Sequence, residues 1–215
     1  MSVHKIPLYF ELKNLSVLII KEKIGEISAV IHKGGGPVVI AFHGFESFKD
    51  SPKYVLMGNE FEKAGFTFIR FDFRGCGETP GDKYDLDGRI QDAISVYEHS
   101  KKFSEKIFFV GSSLGATISI LIGNKANGIV ALCPPFTDIG KLKMKDALKQ
   151  NPPILIIHGN NDETVPIEEG KKIFQLAKPP KEFFEVSGGD HRFSDPNHLN
   201  LVIQKTVEFI KKINQ

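Results

Sequence analysis

From residue 37 onward, short apolar runs alternate with longer stretches of helical spacing. Pro37–Phe42 (PVVIAF) is a continuous apolar run, the pattern of a strand buried on both faces. Lys53–Ala64 has helical spacing and stops at Gly65. A strand is predicted over Phe66–Asp72, then a helix over Asp87–Phe103 with Ile90, Ala93, Ile94 and Tyr97 at helical spacing. Next come a strand over Lys106–Val110, a helix over Leu114–Lys125 and a strand over Gly128–Cys133. Pro134-Pro135 breaks the chain, and Asp138–Gln150 reads as a short helix. Pro153–His158 (PILIIH), Ile167–Ala177, Glu182–Val186 and His198–Ile213 complete the series as strand, helix, strand and helix. Ahead of residue 37 the pattern differs. Ile6–Leu12, Val17–Lys21 and Glu26–His32 are short β-branched segments punctuated by Asn14 and Gly25, as strands of an antiparallel meander are. The turn Gly34-Gly35-Gly36-Pro37 separates the two regions.

Meander strands followed by strand–helix alternation predict an α/β fold: a mostly parallel central sheet, helices on both faces, right-handed crossovers. No linker or repeat interrupts the pattern, so residues 1–215 are read as one domain. Only segment 134–153 is surplus to the alternation, and it has the size of a minimal lid. A formal net charge of +2 gives no reason to expect nucleic acid or an acidic membrane surface as partner. Lys141, Lys143, Lys145 and Lys149 read as one solvated helix face. Two cysteines, Cys76 and Cys133, make neither a disulfide framework nor a metal-ligand spacing, which suits a reduced cytoplasm. No stretch is apolar enough to span a bilayer, and residues 1–13 lack the apolar core of a signal peptide. With 18 Phe and no Trp, the aromatic part of core and pocket must be mostly Phe.

The strongest chemical signal is Gly111-Ser112-Ser113-Leu114-Gly115. It is a G-x-S-x-G that directly follows a predicted strand and opens a predicted helix, the context in which a serine is presented on a sharp turn. Ser113 is the central residue, and Ser112 is its neighbour. A serine nucleophile needs a base. Of the seven histidines, His4, His32 and His99 read as surface or packing residues, His158 as a structural hydrogen-bonder, and His198 as part of a helix start. His43 reads as a loop brace. His191, in the glycine-containing loop Ser187–Phe193 after the last strand, lies where a parallel sheet presents its active site. The acid that orients the base is assigned to Asp162 in the loop 159–166, with Asp138 second, ahead of Glu163 and Asp190. The chain order Ser, Asp, His is that of one of the three well-known triad arrangements. Oxyanion donors are expected from the N–H of Leu114, next to the nucleophile, and of Phe45 in the loop His43–Ser47. Gly75-Cys76-Gly77 faintly suggests a dinucleotide loop, but its spacing is wrong and Pro80 interrupts it.

The stretches HGFESFKD, GFTFIRFDFRGCGETPGDKYDLD, FFVGSSLGA, PILIIHGNNDETVP and GGDHRF resemble the α/β-hydrolase superfamily. More narrowly they are similar to its small carboxylesterases, including the cinnamoyl or feruloyl esterase-like group and related acyl-peptidase-like hydrolases. The resemblance implies Ser113 as nucleophile, Asp162 as acid, His191 as base, and Phe45 and Leu114 as oxyanion donors. It also implies that Arg74 ties loops together. Those esterases carry a larger insertion where only 134–153 stands here. The expectation is therefore a serine esterase, cytoplasmic, monomeric or homodimeric, with no metal and no cofactor. Its substrate would be a small-molecule ester held in a shallow pocket shaped by Phe45, Phe136 and Phe193. Peptidase, thioesterase and a non-catalytic binding protein are the alternatives.

Overall fold

The computed structural model describes residues 19–215. The segment Ile6–Leu12, His4 and the start of Val17–Lys21 lie outside the described residues. Eight strands form one sheet: β1 (Ile19–Ile24), β2 (Ile27–His32), β3 (Val38–Phe42), β4 (Thr67–Phe71), β5 (Ile107–Ser112), β6 (Gly128–Leu132), β7 (Ile154–Gly159) and β8 (Lys181–Val186). Their order is β1-β2-β4-β3-β5-β6-β7-β8. The β1–β2 and β2–β4 pairs are antiparallel and all later pairs are parallel, as the change of pattern at residue 37 implies. The helices are α1 (Pro52–Lys63), α2 (Leu86–Ser100), α3 (Leu114–Leu121), α4 (Met144–Leu148), α5 (Ile167–Leu176) and α6 (Pro196–Ile213).

The parallel strands are apolar on both sides because both sides are covered. Val38, Ile40 and Phe42 of β3, Ile107 and Phe109 of β5, and Ile154 and Ile156 of β7 share one cluster with α2, α3, α4 and α5. The alternate residues Val39, Ala41, Phe108, Val110, Leu155 and Ile157 share the other with Tyr54, Met57 and Phe61 of α1 and Val202, Ile203, Phe209 and Ile210 of α6. Burying one such side chain fully contributes about 1.5–3 kcal/mol. Several predicted boundaries move, among them the following three. The predicted Leu114–Lys125 helix ends at Leu121 and continues as a 3₁₀ turn over Gly123–Lys125. The predicted Asp138–Gln150 helix shrinks to α4, because residues 139–142 turn back through a bridge between Ile139 and Leu142. α6 begins two residues before His198, and its N-cap is Asp195, whose carboxylate accepts the Asn197 N–H.

Segment 134–153 does not float over the sheet. Its Ile139, Met144 and Leu148 are buried in the cluster with α3 and α5. Asp138, exposed, accepts the Met144 N–H at 2.9 Å and faces Lys143.

Burial holds His32 and His43 as neutral rings. The Nε2 of His32 accepts from Arg70 Nε at 3.1 Å, and burial pushes its pKa down to about 4. The Nε2 of His43 accepts from the Phe73 N–H at 3.0 Å while its Nδ1–H donates to Gly44 O, and burial pushes it down to about 4. Above about pH 6.5 both rings are neutral in folded and unfolded chains alike. Between that pH and about 4 the unfolded chain takes up protons that the folded chain refuses, so stability falls as pH falls. Equilibrium urea unfolding should give a free energy lower by about 2–4 kcal/mol at pH 5 than at pH 7. Equal values at the two pH values would contradict the buried neutral rings.

Candidate active site

The register aligns the carboxyl ends of the central strands. Phe42 pairs with Gly111, Ser112 with Leu132, and Gly159 with Val186. The loops after β3, β5, β7 and β8 therefore leave the sheet at one edge, and they carry the residues that the sequence singles out.

Ser113 stands between β5 and α3 with φ 56° and ψ −123°, a backbone region that a side chain occupies only under strain. The neighbouring glycines explain how the turn closes. A Cβ on Gly111 would overlap the backbone of Gly115, and one on Gly115 would overlap the Phe42 carbonyl. Helix α3 can therefore press against β5 and β3 only with glycine at both ends of the motif. The strain at Ser113 is held by its own N–H, which donates to Leu132 O at 2.9 Å. Ser112 is the structural partner: it is buried, and its hydroxyl accepts from Lys53 Nζ at 3.0 Å. Burial pushes Lys53 down to about 8.

The loop after β3 lies directly beside this turn, with Gly44 packed against Ser112 and Ser113. Among the described residues, the N–H groups of Phe45 and Leu114 donate to no protein acceptor. Leu114 follows Ser113 directly and its N–H opens a helix whose dipole favours negative charge there, while Phe45 follows Gly44, the residue packed against the turn. The loop is pinned from behind. The Lys49 N–H donates to Asp72 Oδ1 at 2.6 Å, Lys49 Nζ reaches Asp72 Oδ2 at 2.9 Å, and the Glu78 N–H donates to the same oxygen at 2.9 Å. Asp72 is fully buried and joins the loops after β3 and β4. Arg74 ties the latter loop to α2 through Asp92 and Asp85.

Asp162 and His191 meet. The Nδ1–H of His191 donates to Asp162 Oδ2 at 2.7 Å, which leaves Nε2 as the acceptor of the ring. The other oxygen, Oδ1, accepts the N–H groups of Thr164 and Val165 at 2.9 and 2.8 Å. Burial pushes the Asp162 carboxyl up, but these two N–H groups and the His191 ring prevail and hold it below the usual carboxylate range. His158 braces the loop, donating from Nε2 to Val165 O at 2.9 Å. The rival acids are engaged elsewhere or turned away. Asp138 serves α4, Asp190 accepts the Ser194 N–H at 2.8 Å, and Glu163 is exposed. No hydrogen bond joins the Ser113 hydroxyl to His191 among the described residues, so the geometry unites Asp162 with His191 and Ser113 with the loop after β3.

Sequence reasoning missed what holds the acid and base loops together. Asn160 Oδ1 accepts the Gly188 N–H at 2.7 Å, and the Asn161 N–H donates to Gly189 O at 3.0 Å. The Gly-Asn-Asn-Asp run was the available signal, since such side chains bond to backbone in loops. The proposed pocket residues separate. Phe45 is half-buried with its ring against Tyr84, centroids 5.6 Å apart. Phe136 is half-buried under Lys172, with its N–H donating to Glu169 Oε2 at 2.8 Å. Phe193 corrects the expectation: it is 1% exposed, has φ 52°, and packs in the core cluster with α1 and α6, so it lines no open pocket. Cys133, His158 and Asp162 bring donor atoms within 4.8 Å of one another, a spacing that could hold a metal. All three are otherwise committed: His158 and Asp162 to the bonds above, and the Cys133 thiol kept protonated by burial.

A family model described as "Serine aminopeptidase, S33" matches residues 36–150, more than half of the chain, and one described as "Prolyl oligopeptidase family" matches residues 135–215. The chain belongs to the first of these α/β-hydrolase families. The chain is 26% identical to human Protein ABHD12B over 68% of its own length and 51% of that protein. It is 23% identical to the Lysophosphatidylserine lipase ABHD12 of Danio rerio over 67% of its own chain and 48% of that protein. It thus spans about half the length of these relatives. Its fold is similar to that of Est1E from Butyrivibrio proteoclasticus, solved with ferulic acid bound, with TM-score 0.78, 20% identity and coverage of 90% and 98% of the two chains. No helix among the described residues is long and apolar enough to cross a membrane.

Proposed function

We propose that the protein hydrolyses carboxylic esters through an acyl-enzyme on Ser113. The observation that carries this reading is the strained Ser113 turn beside two acceptor-free N–H groups, in a fold that also delivers an Asp162-oriented imidazole to the same sheet edge. In this reading the Ser113 hydroxyl attacks the acyl carbonyl while His191 Nε2 takes its proton. The N–H groups of Phe45 and Leu114 stabilise the oxyanion, and loss of one such donor costs about 3 kcal/mol. The imidazolium, stabilised by Asp162, returns the proton to the leaving alcohol. His191 then activates water against the acyl-enzyme. Esterase and lipase names among the relatives and structural neighbours support ester over amide as substrate.

Both family models are described as peptidases, and this favours one second reading: cleavage of peptide amides by the same three residues. The test is a side-by-side measurement of kcat/KM on p-nitrophenyl esters of increasing acyl length and on aminoacyl p-nitroanilides. The ester reading expects turnover of short esters well above that of any anilide. Anilide turnover that exceeds ester turnover would replace it with the peptidase reading.

A further inference from the structure

Arg89, on the second turn of α2, is the largest fully buried side chain of the described residues, with 0% exposure. Its surroundings do not balance its charge. Its Nε and Nη1 have no hydrogen-bond partner, and among the described residues no carboxylate forms an ion pair with it. Among the described residues its guanidinium makes one hydrogen bond, Nη2 to Cys76 Sγ at 3.1 Å, and burial pushes that thiol's pKa up, so the sulfur stays neutral. The nearby acids are spent: Asp72 on Lys49, Glu46 on Lys83, and Asp85 on Arg74. What covers the guanidinium is aromatic. The Phe45 ring lies 5.0 Å from its centre and the Phe73 ring 5.6 Å. Lys83 Nζ stands on the Phe45 ring at 5.4 Å, and Tyr84, 69% exposed, packs beside it.

Cation–π contact offsets part of the cost of burying a guanidinium, but not two unpartnered N–H groups. A methionine or leucine would fill the same space without that cost. An unpartnered charge that deep calls for a ligand or a reaction. Its cover, moreover, belongs to the loop beside Ser113: Gly44 packs against the serine turn, and the ring of the next residue, Phe45, caps Arg89. A rotation of the Phe45 side chain would open the guanidinium toward that turn, with Lys83 at the rim.

We propose that Arg89, with Lys83 at its rim, is an anion subsite under the Phe45 ring, so that the preferred ester carries a carboxylate or phosphate group beside the carbonyl it presents to Ser113. The inference rests on the ester-hydrolase reading for the role of Ser113, but the subsite is read by binding alone.

The experiment uses the Ser113→Ala protein, in which turnover cannot intrude. Succinate, inorganic phosphate and neutral succinamide are titrated calorimetrically. One of the anions should bind at least about tenfold more tightly than succinamide, the margin of a charge-assisted fork contact. Whichever of the two binds more tightly names the group. Adding Arg89→Met should bring anion affinity down to the succinamide level, with far-UV dichroism unchanged. If Arg89→Met does not fold, Phe45→Ala serves instead, and removal of the cover should raise anion affinity. No preference for either anion, an Arg89→Met protein that keeps the preference, or a Phe45→Ala protein with unaltered affinity overturns the subsite. In the unmutated enzyme, p-nitrophenyl hemisuccinate and the neutral pentanoate are then compared. Failure to turn over either ester while anion binding persists would sink the ester reading and leave the subsite supported.

Discussion

Ser113→Ala is expected to lower ester kcat/KM by about 10⁵-fold, which is about 7 kcal/mol of transition-state stabilisation. Alanine keeps the β-carbon and the φ of 56°, so the turn, its hydrogen bond to Leu132 O and the pressing of α3 against β3 all remain. Only the hydroxyl goes. The Phe45 and Leu114 N–H groups would still bind a carbonyl, and residual turnover above water should come from them. Ser112 cannot substitute, because it is buried and its hydroxyl is bonded to Lys53. The measurement is p-nitrophenyl acetate hydrolysis by both proteins, with thermal midpoints compared to exclude misfolding. Activity within tenfold of the unmutated enzyme would remove Ser113 from the chemistry.

The second large effect is expected from Asp162→Asn, with kcat lower by about 10³–10⁴-fold and little change in stability. The amide oxygen can keep the Thr164 and Val165 N–H groups that Oδ1 now accepts, so the loop has no reason to open. The amide nitrogen then faces His191 Nδ1 and requires that atom to be an acceptor. The proton moves to Nε2, where the ring can no longer take one from Ser113. Asp138→Asn should leave kcat within about twofold, since that carboxylate caps α4 rather than meeting the imidazole. Steady-state kinetics on one ester separates the two outcomes. A large loss in Asp138→Asn with a small one in Asp162→Asn would reverse the assignment of the acid.

What the sequence makes legible here is what is decided locally. The turn at Ser113 is written in adjacent residues, because strand, Gly-x-Ser-x-Gly and helix follow one another without a gap. The same holds for the parallel strands, which must be apolar on both faces if helices cover both. Asp162 and His191 lie 29 residues apart, yet each sits in a loop closing a recognisable strand, so their meeting follows from the register of β7 and β8. What escapes depends on contacts between distant segments. Phe193 next to His191 reads as a pocket wall, but its positive φ turns the ring into the layer under α1 and α6. Nothing near Arg89 in sequence tells that Phe45 and Phe73 close over it. Segment 134–153 reads as a minimal lid because it is surplus to the strand–helix alternation, and nothing local in it tells that Ile139, Met144 and Leu148 pack into the core.

The measurement closest to the central claim is active-site labelling with a fluorophosphonate, read by intact mass and by peptide mapping. The account predicts a single adduct on the peptide containing Gly111–Gly115, located at Ser113, and none on Ser113→Ala. It also predicts that His191→Ala labels far more slowly, because the serine then lacks its base. A protein that stays unlabelled at millimolar probe, or carries its adduct on another residue, would contradict the account of Ser113 as the nucleophile.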